Sequence, residues 1–525
     1  MKAEDLWNHM SAIDDEMIEQ SEQGIPKSAK NLWKRRLFRA TAIAAAVLAV
    51  GAAALLVKSA IVRKRNEQTE TGKNSTGTGE PGKKTVTPKS GKLSAAFALM
   101  KAVYPQMAKM PLQVDYMDKF GVVDTQAYYD AYNKWLKTTE VRESVSYDIQ
   151  MQMTDGVSHF AQTSLAELLK GEDGENRACS PLNIYLALGM LAEVTDGTSR
   201  EQILNLLGIR DIEMMRSVAD AVWRLNYSDN GQVTSILASS LWLRDDEWMT
   251  YVPETVKRLA ETYRASSFRG KMGSEGYDKA IQDWLNEQTG DLLEDAVNNV
   301  HFDPATALAL ATTVYYKAQW AKQFKGSATD KEVFHAKIGD KQCDFMHGSS
   351  VQEYYAGEQF VAMALDFEGV GAGDMIFFLP DEGVSVKDLL TDPQVFALFG
   401  SGEEKPQSKK MVVTYSIPKF DVASQMNFGQ SLRNLGVTDV FESAKADFTP
   451  IISNSDNVCL SNAMHGARVT IDEEGVEAAA FTVLVALGTS ILPEERVNFV
   501  LDRPFLFAIR TENKLPLFVG IVENP

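Results

Sequence analysis

The chain has 525 residues, enough for several ordinary domains or one large domain with extensions, and its 45% hydrophobic content is that of a folded protein. Its 53 basic and 71 acidic residues leave a net charge of -18, which excludes an overall nucleic-acid footprint because a negative surface repels phosphate. Cys179, Cys343 and Cys459 are too few and too scattered for a disulfide framework or a thiolate metal site, and read as small buried hydrophobes.

Residues 1–36 are polar, acidic at the start and basic at the end, and read as a cytoplasmic tail. Within 37–62 the uncharged run Ala40 to Val57, ATAIAAAVLAVGAAALLV, has the length of a single membrane-spanning helix. The region before it is too long and too acid-bearing for a removable signal peptide, and a buried alanine-rich core helix would show a polar face. Basic residues flank both ends, so charge guides the orientation only weakly. The expected arrangement has the N-terminus inside and the bulk of the chain outside. Residues 63–92, rich in Gly, Thr, Ser, Lys and Pro, read as a flexible linker. The stretch GTGEPGKKT within it imitates a phosphate-binding loop but lacks the preceding strand and following helix that such a loop needs.

From 93 to 150 apolar residues return at helical spacing, as in TQAYYDAYNKWLK, where Tyr128, Tyr132 and Trp135 share a face. This predicts a helical extension packed on the domain C-terminal to it. From 151 to 525 helix-like runs such as VSHFAQTSLAELLKG give way to strand-like ones, SILASSLWLR, ALATTVYYKAQW, DMIFFLP and KMVVTYSIPKF. Without regular alternation of the two, the pattern predicts one large α+β domain.

Chemistry-bearing motifs are missing from the sequence. Six histidines are present, none in HExxH, and no GxSxG elbow offers a serine nucleophile. No catalytic residue, metal site or cofactor is expected, and the chain does not read as an enzyme.

Several stretches in order resemble the serpin family across roughly 150–525. NRACSPLNIYLALGMLAEVTDGTSREQI (Asn176 to Ile203) is similar to the family's Asn-x-x-x-Ser-Pro helix, and TTVYYKAQW (Thr312 to Trp320) to the strand whose tryptophan marks the breach at the top of the sheet. IPKFDV, LGVTDVF, ADFTPI, LSNAMHGARVTIDEEG, DRPFLFAIR and LFVGIVENP come next, in the family order. The resemblance implies a serpin fold, with a large central β-sheet, surrounding helices and an exposed reactive loop near the C-terminus. It also implies a suicide-substrate inhibitor: a serine protease cleaves the loop, stays attached as an acyl ester, and is displaced as the loop enters the sheet. Together with the anchor, the expected type is bacterial, membrane-anchored and inhibitory. The expected partner is an extracellular serine protease, and the expected state is a monomer.

On that resemblance the hinge is Glu473, Glu474, Gly475, Val476, Glu477, Ala478, Ala479 and Ala480. The stretch DEEGVEAAAFTVLVALGTS mixes helix-favouring and strand-favouring residues, as a segment that is loop first and strand later requires. As a strand it sets Val476, Ala478, Ala480 and Thr482 on one face, small or apolar and fit for burial, and Glu477, Ala479 and Phe481 on the other. The family usually has Thr or Ser at Val476 and a small residue at Phe481. Counting from Glu473 as the family does puts the reactive bond at Thr489–Ser490, while counting back from Arg503 puts it slightly later. Small neutral residues there fit elastase-like or subtilisin-like proteases rather than trypsin-like ones. Trp320 is the breach residue. The shutter is Ser180, Asn183, Thr312 and His465, with Asn183 where a serine is usual and Thr312 where an asparagine is usual. That exchange of amide and hydroxyl predicts the same network made by other means, unless both bond only nearby backbone. The alternative function is a non-inhibitory binding or adhesion protein on the same scaffold.

Overall fold

Where aliphatic and aromatic residues run together the chain forms strands, and they assemble into two sheets. The computed structural model describes residues 92–104, 107–118, 121–140, 145–290, 297–400, 404–454, 458–476 and 495–525. Among these, no helix is long and apolar enough to cross a membrane. The span expected within 37–62 lies outside the described residues, as do Glu477, Ala478, Ala479, Ala480, Thr489 and Ser490.

Helices lead: Tyr147–Leu168, Pro181–Glu193, Gly197–Leu206 and Ile212–Asn226. The second of these is buried along its whole length, starts on Pro181, and is capped by Ser180, whose hydroxyl accepts from the Asn183 N–H. Buried all round, it belongs to the interior and not to a surface. It packs against strands of both sheets.

The central sheet runs, edge to edge, Ala98–Met100, Ala265–Gly270, Thr234–Arg244, Leu308–Gln319, Gly475–Val476, Leu460–Ile471, Phe420–Asn427. The second sheet includes Arg496–Val500, Gln407–Pro418, Gly339–Ala356, Phe360–Asp366, Asp374–Pro380, Phe505–Arg510, Pro516–Val522 and Arg177–Cys179 in that order. A large core fills the space between the sheets and the leading helices. A smaller core lies under the helix Glu275–Gln288, which covers the outer face of the central sheet through Trp242, Phe268, Tyr277, Ile281 and Trp284.

The segment 93–150 is less uniformly helical than its spacing predicts. It holds the helices Lys92–Phe97 and Thr125–Glu140, but Ala98–Met100 forms an edge strand against Ala265–Gly270. Three residues are too few for a period to register, and an open sheet edge decides their conformation.

Candidate functional site at the head of the central sheet

The strand Leu460–Ile471 ends in a turn whose residues prescribe it. Asp472 Oδ1 accepts from the N–H groups of Glu474 (2.8 Å) and Gly475 (3.1 Å), and the Asp472 N–H donates to the Gly475 carbonyl (3.0 Å). The chain thereby reverses and lays Gly475 and Val476 between two strands, with Val476 opposite Ala318 on one side and Ile471 on the other. All three side chains are buried, so Val476 points to the core face. Gly475 is required by close approach: a Cβ there would lie 2.2 Å from the Ala318 carbonyl oxygen, a backbone atom that cannot step aside.

Trp320 closes the other side of the turn. Its backbone N–H donates to the Glu474 carbonyl (3.0 Å) and its indole N–H to the Asp472 carbonyl (2.9 Å). The ring is stacked on Phe367 with centroids 4.9 Å apart and meets Phe324 edge to face. Glu473 is held by Lys419 Nζ at 2.8 Å and by the Thr329 hydroxyl at 2.8 Å. Burial opposes ionisation of Glu473, yet Lys419, the local backbone and Thr329 together hold its carboxyl below the usual range. Lys419, Thr329 and Phe367 are far from the hinge in sequence and carry no local signal of this role.

Below the hinge the flanking strands change partners. Leu308 to Thr313 pair directly with Leu460 to Gly466 in parallel, ending at Thr313 opposite Gly466, where the Thr313 hydroxyl also donates to the Gly466 carbonyl (3.0 Å). Between that seam and Val476, residues 314–317 and 467–470 form no ladder with each other among the described residues. Continuing the register of Val476 opposite Ala318 would set Ala478 opposite Tyr316 and Ala480 opposite Val314.

The four shutter residues meet at the top of the seam, but not as a ring around the histidine. His465 Nε2 accepts from the backbone N–H of Ser180 (2.9 Å) rather than from a side chain. The Asn183 amide donates to the Thr313 carbonyl (2.5 Å), and the Thr312 hydroxyl turns to the Ala238 carbonyl (3.1 Å) and Ser239 (3.3 Å). A threonine hydroxyl sits one bond from Cβ and reaches the adjacent strand's backbone, where an asparagine amide would extend further. Burial pushes the His465 imidazole down to about 3, with the Thr312 backbone opposing the shift. The imidazole is therefore neutral beneath the sheet.

Downstream of the loop, Arg496–Val500 runs parallel to Gln407–Pro418, with Val412 opposite Arg496, and Lys409 pairs with Glu495. The loop thus leaves from the central sheet and lands in the second. No group of acidic, histidine and cysteine side chains among the described residues is arranged to hold a metal ion.

The family model described as Serpin (serine protease inhibitor) matches residues 155–525. The chain is 27% identical over 401 residues to Serpin-ZX of Arabidopsis thaliana, covering 74% of this chain and 99% of that protein. It is 27% identical over 385 residues to human leukocyte elastase inhibitor, covering 71% and 100%. The fold matches the native state of the thermophilic serpin tengpin with a TM-score of 0.62 at 22% identity, over 70% of this chain and 93% of that one. It matches Arabidopsis AtSerpin1 in its native stressed conformation with a TM-score of 0.61 at 23% identity, over 73% and 100%. Human thyroxine-binding globulin complexed with its hormone matches with a TM-score of 0.60 at 21% identity, over 71% and 99%. The chain belongs to the serpin family.

Proposed function

We propose that the chain is a membrane-anchored, bacterial-type inhibitor that traps an extracellular serine protease by loop cleavage and insertion. The observation that carries this reading is the seated hinge: Gly475 and Val476 already occupy the head of the sheet while the seam below them is closed. Cleavage near Thr489–Ser490 would free the hinge end from its landing strand. Insertion past Ala480 then unzips the seam from Thr313 and Gly466 downward. About fifteen residues at ~3.3 Å each carry the attached protease on the order of 50 Å.

Leu487, Gly488, Thr489 and Ser490 favour an elastase-like or subtilisin-like enzyme with a shallow apolar pocket. Leukocyte elastase inhibitor among the relatives is in keeping with that preference. The uncharged run Ala40 to Val57 and the linker after it support placement outside the membrane on a tether. Incubation with elastase and with subtilisin, followed by denaturing electrophoresis, tests the function. A complex that survives denaturant is expected with at least one of them. Cleavage within 487–491 without such a complex would return the chain to the binding-scaffold reading. Protease treatment of intact cells should release residues 93–525, and full protection would overturn the orientation.

A further inference from the structure

We propose that the described residues 94–104 and 107–110 are a clasp that holds the helix Glu275–Gln288 on the central sheet and so sets the rate at which the sheet admits a new strand. This rests on the inhibitory reading above, and it concerns a segment outside the region that the family model matches.

The segment touches that helix at both ends. Phe97 lies against Tyr277 in the first turn, with ring centroids 5.1 Å apart, and packs onto the smaller core. Tyr104 donates its hydroxyl to the side-chain carbonyl of Gln288, the helix's last residue, at 3.1 Å. Between these points Ala98–Met100 adds a strand to the sheet edge, with Ala98 opposite Phe268, and Ala102 N–H donates to the Ser266 hydroxyl (3.0 Å). Tyr104 is also wedged against Trp223 and stacked parallel to Tyr227, so its far side is fixed to the helix Ile212–Asn226. Further on, the Met110 N–H donates to the Asn230 carbonyl (2.8 Å), next to the turn that starts Thr234–Arg244. The segment therefore runs from the foot of the sheet toward the end where the hinge is seated.

The helix it holds lies across the seam. The core beneath that helix contains Ala309 and Ala311 from one flank of the seam, with Met464 from the other packed against it. A strand entering the seam separates those flanks by about one strand spacing, ~4.8 Å. A helix packed on both flanks cannot stay in contact with both, so its partial release accompanies entry. Contacts that fasten its two ends oppose that release. They hold the uncleaved form in place and slow the trap.

The test uses the full chain. In Phe97→Ala combined with Tyr104→Ala, amide exchange in 275–288 should rise by roughly tenfold, the scale expected from losing two ring contacts. Exchange in 374–380 and 505–522 should be unchanged. Uptake of a synthetic peptide copying residues 476–490 should accelerate by a similar factor. Gln288→Leu, which removes a single hydrogen bond, should move both in the same direction by less. Unchanged exchange in 275–288, equal acceleration in the second sheet, or a looser helix with unchanged peptide uptake would each overturn the clasp. Peptide uptake needs no protease, so a chain that admits the peptide but forms no complex with a protease loses the inhibitory reading alone. A chain that never admits the peptide loses both.

Discussion

The two sheets are built for opposite ends. In the second sheet Asp374–Pro380, Phe505–Arg510 and Pro516–Val522 are buried at every position and paired along nearly their whole length, with one irregularity between Ile509 and Arg510. Arg510 grips Asp374 through two bonds of 2.7 and 2.9 Å and donates to the Leu398 carbonyl (2.9 Å) in the same closed interior. The middle of the central sheet is instead lined with Ala238, Ser239, Ser240, Ala311, Thr312 and Thr313. Its seam strands pair for only part of their length. Large interlocked side chains fix a register, whereas small and hydroxyl-bearing ones leave room for a ladder to re-form around a newcomer. On the proposed mechanism, metastability would be a local property of the central sheet, with the second sheet as its rigid frame.

The contrast can be tested from its largest consequence down. Completing the central sheet adds ladder bonds worth roughly 0.5–1.5 kcal/mol each, so over a dozen residues the gain is on the order of 10 kcal/mol. Cleavage between Leu487 and Ile491 should raise the melting temperature by tens of degrees, read from melting curves before and after limited proteolysis. Coincident curves would remove the distinction between the sheets.

Next in size is the frame itself. Asp374→Ala leaves Arg510 buried without its carboxylate and should destabilise by about 3–5 kcal/mol. The loss should be equal in the intact and cleaved forms, because denaturant unfolding of either passes through the same second sheet. A loss confined to one form would place metastability in both sheets.

In the hinge, Ala480→Arg puts a charge on the face that the register of Val476 turns toward the core, at a penalty of several kcal/mol felt only once the loop enters the sheet. The stoichiometry of inhibition should rise toward pure substrate behaviour while the intact form's melting point moves little. An unchanged stoichiometry would show that insertion does not pass through this position.

The effect that vanishes at neutral pH, and is smallest for each pH unit, is a slope from His465. Its folded pKa is depressed to about 3, so the unfolded chain takes up the proton first as pH falls below ~6.5. Stability is complete above that value and declines by about 1.4 kcal/mol for each further unit of acidification. His465→Gln should flatten the slope between pH 6 and 4 in denaturant titrations. A slope that survives the substitution must come from carboxylates such as Glu473.

Much of this was legible in the sequence because it depends on local pattern. DMIFFLP became the strand Asp374–Pro380, and VSHFAQTSLAELLKG lies mostly within the helix Tyr147–Leu168. Asp472 and Gly475 announce a turn, since a short carboxylate and a missing Cβ are what the reversal needs. Other features depend on partners brought from afar. Nothing near Glu473 names Lys419 or Thr329, and nothing in Ala98–Met100 names the sheet edge it covers. The directions taken by the Asn183 amide and the Thr312 hydroxyl are set by the neighbouring strand, which a residue-by-residue comparison with a family pattern does not contain.

The separate anchoring of the loop, one end in each sheet, has a final consequence. On the proposed mechanism the intact peptide bond is the molecule's only record that it has not yet acted. Hydrolysis erases that record, and refolding cannot rewrite it, because the cut end now lies in the central sheet while its former neighbour remains in the other. Each copy answers one encounter. Protection at a surface therefore scales with the number of copies held there and with their rate of replacement, as with ammunition, and raising the affinity of any single copy cannot substitute for supply.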